Sequence, residues 1–123
     1  MPNWQPNWTD VTFDFGRADA AVTALRATAD LLDRQTDQRV RLAAVAQQQW
    51  QGRARTTFDG ELARLVRVAA DLVAALRAAA RTIEAAAADA RVEQARRVDD
   101  RQRWRQEAAK EAATKPAMPS RAS

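Results

Sequence analysis

Trp50-Gln51-Gly52 divides this chain into two long Ala/Leu-rich helical patterns, and that division most constrains what the chain can become. Glycine is the residue type that lets a backbone reverse just past a helix end, and an aromatic stands two residues before it. Two apolar helical stripes on either side of such a reversal predict an antiparallel helical hairpin.

The first stripe runs Phe15, Ala18, Val22, Leu25, Ala29 and Leu32 at three- and four-residue steps, one face of a helix. It weakens from Asp33 to Arg39 and resumes through Val40, Ala43, Ala46 and Trp50. No Pro or Gly interrupts the interval, so one continuous helix over about 14–50 is expected, with Asp14 as its N-cap.

The second stripe, Phe58, Leu62, Leu65, Ala69, Leu72, Leu76, Ala79, Ile83, Ala86 and Ala90, holds a strict alternation of four and three. Val66 and Val73 lie beside it and widen it. Gly60 interrupts it at a cost of about 1 kcal/mol against Ala, which points to a later helix start or, as we read it, to the close approach of another helix.

Past Ala90 the stripe positions become Glu93, Arg97 and Asp100, while helix formers continue to Ala113. Acid-first pairs, Glu93 with Arg97 and Asp99 with Arg103, suit a solvated helix. The second helix is therefore expected over about 53–113, followed by a polar, disordered tail at 114–123. Folding back at 50–52 sets Phe15 near Ala87, leaving the rest of helix 2 as an overhang of roughly 35–40 Å at 1.5 Å per residue.

Ahead of the hairpin, Pro2-Asn3-Trp4 recurs as Pro6-Asn7-Trp8, and Val11, Phe13 and Phe15 alternate. Residues 1–13 thus form an extended Trp-containing arm. It is long enough to run back along the overhang, laying Trp4 and Trp8 over Val92, Ala95 or Val98, or instead to bind a partner in trans. Val98 and Trp104 complete the candidate docking residues.

Composition narrows the chemistry. There is no Cys, His or Tyr, and the only serines are Ser120 and Ser123. Disulfides, Cys/His metal sites and His-based acid–base or nucleophilic sites are excluded, and neither a catalytic set nor a cofactor is implied. The net charge of +4 lies wholly in residues 91–123, because residues 1–90 carry eleven Arg against eleven acids. Acids interleaved through the Arg-rich stretch argue for a solvated helix, or a charged arm for another protein, and against nucleic acid. No apolar run reaches a membrane span, and no stable insertion is expected. The chain is expected in the cytoplasm, leaving the cell, if it does, without a cleaved signal peptide.

A two-helix hairpin has too little interior to hide both stripes, so two hairpins are expected to pair in a four-helix bundle, as a homodimer or a heterodimer. Val22, Leu25, Leu32, Leu62, Leu65, Leu72, Leu76 and Ile83 are the candidate interface. The all-α hairpin is also compatible with a cytosolic structural or adaptor coiled coil with no export role.

Trp50-x-Gly52, with Ala54 and Phe58 behind it at mid-chain of an Ala-rich hairpin over residues 14–90, resembles the WXG (ESAT-like) family of type VII secretion proteins. The Asn/Pro/Trp entry segment, Phe13-Asp14 and the Arg/Glu-rich extension resemble an actinobacterial branch of that family, often encoded beside larger exported toxins. The resemblance implies a hairpin dimer, recognised by a secretion ATPase through Trp50, Gly52, Ala54 and Phe58. The dimer would serve as export substrate or as chaperone and targeting unit for an effector. Many exported pairs carry a Tyr-x-x-x-Asp/Glu signal, which this chain lacks. Trp104 stands where the aromatic is expected, but Ala108 lies four residues on.

Overall fold

The turn stops helix 1 earlier than the sequence pattern does. In the computed structural model, which describes residues 1–114, helix α1 spans Phe15–Gln47 and helix α2 spans Arg53–Thr114. The two pack as a hairpin, the second far longer. The residues after Thr114, expected to be disordered, lie outside the described residues.

Asp14 begins α1 as its N-cap, in extended backbone, with its carboxylate accepting the Arg17 N–H at 2.9 Å. The helix then runs unbroken through the polar interval Asp33–Arg39. A helix end leaves its last carbonyls without intrahelical partners. Here the Gln49 N–H turns back to the Ala46 carbonyl at 3.2 Å, and the Arg55 guanidinium donates to the carbonyls of Gln47 and Trp50. Trp50 is therefore a loop residue, and Gln47 takes the helical step expected of it.

The chain forms two compact units, residues 14–87 and residues 1–13 with 88 onward, and α2 runs through both. In the hairpin unit the buried residues are small: Ala29 and Ala43 on α1, Val73, Ala80 and Ala87 on α2. Among the described residues no large side chain is fully buried. Ala at the contact lets two backbones approach closely, and the larger side chains then lie along the flanks of the seam.

This packing corrects the expected seam of α2. Leu62, Ala69, Leu76 and Ile83 are half-buried as the pattern implies, but Val66, Val73, Ala80 and Ala87 replace Leu65, Leu72, Ala79 and Ala86, which are exposed. Turning α2 by one residue puts its slimmer row, Val and Ala, against α1.

The register differs as well. A fold at residue 51 sets Arg26 level with residue 76, yet Arg26 is paired with Glu84. Arg77 bridges Asp30 at 3.1 Å and Asp33 at 2.9 Å, and Gln47 Nε2 donates to Asp59 at 2.6 Å. The first turn and a half of α2 is taken up before Asp59 comes level with Gln47, which shifts every later pair along α2.

Gly60 lies in the interior of α2, and a Cβ added there would meet nothing within 4 Å. Among the described residues no helix approaches it, so the close approach expected there is not made within the hairpin.

In the other unit, residues 1–13 form neither helix nor strand and lie antiparallel along α2. The Met1 amino group pairs with Glu111, Trp4 with Trp104 and Glu107, Asn7 with Arg101, Thr9 with Arg97, and Val11 with Gln94. The tryptophans thus sit nearer the end of α2 than expected, and Val92 and Val98 stay exposed. Arg97 and Arg96 hold Glu93 at 3.1 Å, and Arg103 is held by Asp100 at 2.9 Å.

Candidate functional site

Two features of the hairpin unit leave apolar side chains exposed: its turn and a groove along its length.

At the turn, Gly52 has φ of +84°, the left-handed region that L side chains avoid. Its carbonyl accepts the Thr56 N–H at 3.2 Å, the first helical bond of α2, so Gly52 occupies the N-cap position. The Thr56 hydroxyl donates to the same carbonyl at 3.3 Å. Reversal and helix start thus meet at one residue that only glycine fills without strain.

Trp50 stands edge-on to Phe58, ring centroids 5.1 Å apart, and remains 46 % exposed. Such T-shaped pairs contribute about 0.5–1.5 kcal/mol beyond their buried area. Together with Arg53, Ala54, Thr57 and Glu61 they form a shallow apolar patch with charged edges. The structure therefore brings Trp50, Gly52, Ala54 and Phe58 together at one end of the hairpin.

Three residues that the sequence reading did not single out hold this end. Arg55 Nε lies 3.1–3.2 Å from both oxygens of Asp59 while its Nη1 reaches the Gln47 and Trp50 carbonyls. Gln47 closes the set through its bond to Asp59. The one signal in the sequence was the four-residue spacing of Arg55 and Asp59. That spacing cannot show that the guanidinium also reaches back across the turn.

Along the hairpin, Leu32, Gln35, Thr36, Arg39 and Val40 of α1 face Leu62, Leu65, Val66, Val68, Ala69 and Leu72 of α2 around an apolar groove of about 170 Å³. It opens where α1 carries its polar interval, because Gln35 and Thr36 do not fill the space that a Leu row would. Leu65 is 46 %, Val68 58 % and Leu72 47 % exposed. Covering the free halves of these three is worth roughly 2–4 kcal/mol by area. Of the candidate interface residues, Val22, Leu25, Leu32, Leu62, Leu76 and Ile83 are half-buried within the hairpin, and Leu65 and Leu72 remain open.

Trp4, Trp8 and Trp104 come together in the other unit, where Trp8 meets Trp104 edge-on at 5.3 Å. Arg103 and Arg105 stack over Trp4 and Trp8 at 5.0 and 5.4 Å. Asp10 accepts from Gln94 Nε2 at 3.0 Å and from Arg101 at 2.8 Å. The first of these bonds, and then the second, holds its carboxyl below the ordinary value.

Among the described residues no cluster of acids suits a metal ion, and no helix is long and apolar enough to cross a membrane. Comparison with known proteins gives no match, whether to a family model, a curated protein or a solved structure.

Proposed function

We propose that this chain is a non-catalytic type VII secretion factor of the WXG class. It pairs its hairpin with a second hairpin, that of an effector toxin, and serves as export substrate or targeting subunit. The reading is carried by the turn, where a glycine at positive φ and a half-exposed tryptophan present a Trp-x-Gly at the closed end of an Ala-rich hairpin.

The open groove supports pairing. Leu65, Val68 and Leu72 form an apolar row beside the seam, which a third and fourth helix would cover. The secretion ATPase would read the Trp50 end of the pair. Because the chain has no Tyr, the partner would supply the aromatic export signal.

Light scattering of the protein alone and co-expressed with its genomic neighbours tests the pairing. A one-to-one complex with a neighbouring hairpin supports the reading, and export from the native cell that fails for Trp50→Ala supports the role of the turn. A tight homodimer indifferent to every neighbour, with no export, overturns it in favour of a structural coiled coil.

A further inference from the structure

Counting on from Ala90 of α2 by the steps of three and four that mark a helix face reaches 94, 97, 101, 104, 108 and 111. Five of those six residues contact the arm through hydrogen bonds or an ion pair. Their chemistry is that of a receptor for backbone. Arg97, Arg101 and Trp104 donate to the main-chain carbonyls of Thr9, Asn7 and Trp4 at 2.9, 2.8 and 2.9 Å. Gln94 accepts the main-chain N–H of Val11 at 2.8 Å. An extended segment has no helical bonds of its own, so its carbonyls need donors, and this face supplies them at three points.

Side-chain selection is laid over that reading. Pro2 and Pro6 are the buried residues of the arm, and proline brings no N–H that burial would leave unpaired. Trp4 donates to Glu107 at 2.7 Å under the Arg103 guanidinium, and Trp8 lies between Trp104 and Arg105. Both cationic stacks and the edge-on ring pair require an aromatic two residues after each proline. Asp14, at the junction of the arm with α1, spends its carboxylate on capping that helix.

We propose that residues 94–111 form a receptor for an extended Pro-x-Trp repeat. The chain's own arm is the resident occupant, and the trans ligand is a second polypeptide carrying the same repeat. In cis, Trp8 remains 46 % exposed. The resident arm competes with any ligand from outside, so the trans affinity is reduced by the fraction of receptor that is free.

The test uses the full chain and a synthetic peptide of residues 1–13 carrying a C-terminal fluorophore, followed by anisotropy. The wild-type chain binds weakly because its own arm is seated. A Trp4→Ala/Trp8→Ala chain, its resident arm loosened, binds at least about tenfold more tightly. Adding Trp104→Ala or, separately, the milder Arg101→Gln to that chain reverses the gain, with helix content by circular dichroism unchanged. Binding no tighter in the double variant, or a gain that survives both receptor substitutions, overturns the proposal.

Discussion

Gly52 and Gly60 are the same residue type in opposite situations. At Gly52 the backbone has φ of +84° and open space around it, so the cost of a side chain is conformational and not steric. Gly52→Ala is expected to destabilise the hairpin by about 1 kcal/mol, read as a lowered urea midpoint at unchanged slope. Gly60 has ordinary helical backbone and nothing near its missing Cβ. Gly60→Ala is expected to stabilise the chain by about 1 kcal/mol in the same assay. A loss of stability there, seen only in the assembled state, would show that a partner helix packs on Gly60.

The hairpin end and the arm are the elements where polar contacts do most of the ordering. Arg55 ties the end of α1, the loop and Asp59 together. Arg55→Ala should cost roughly 1 kcal/mol, since the site is partly exposed, and should speed amide exchange in residues 48–52. Exchange confined to the rest of the chain would remove Arg55 from this role.

The arm should respond to acid. Asp10, the arm carboxylate held by Gln94 and then by Arg101 of α2, has its carboxyl lowered from its ordinary value of 3.8. Such a group binds fewer protons docked than free, so its contribution is present above the free value and is lost as pH falls through the lower, docked one. The arm should therefore loosen below about pH 4. Three of the four tryptophans lie at this contact, so their emission should report it, and Asp10→Asn should flatten the change. Emission constant down to pH 2, or loosening as pH rises, would contradict the assignment.

At the scale of the whole molecule the interior is thin. The buried hydrophobic residues of the described chain are Ala with one Val, and Leu65, Val68 and Leu72 remain about half open. The proposed pairing of hairpins should depend on that row. Leu65→Gln with Leu72→Gln is expected to lower the assembled mass in light scattering while leaving helix content intact, because neither side chain fills the seam between α1 and α2. Assembly unaffected by the pair would move the interface elsewhere.

Much of this was legible in the sequence. The 3–4 periodicity on both sides of a glycine specifies two helices and a reversal without reference to anything distant, because the helix period and a positive φ are local properties. Asp14 as a cap is local in the same sense. What only the tertiary structure decided was which row faces what. Leu65 and Val66 are both apolar and differ by one helical step, so periodicity permits either, and it took the close approach of small residues at 73, 80 and 87 to turn Val66 inward. Gln94, Arg97 and Arg101 likewise read as a solvated face for as long as their partner is unknown. A helix packed on another helix needs apolar cover, since the neighbour's backbone is already satisfied. A helix packed on an extended arm needs donors, and no residue of α2 alone records which of the two will lie beside it.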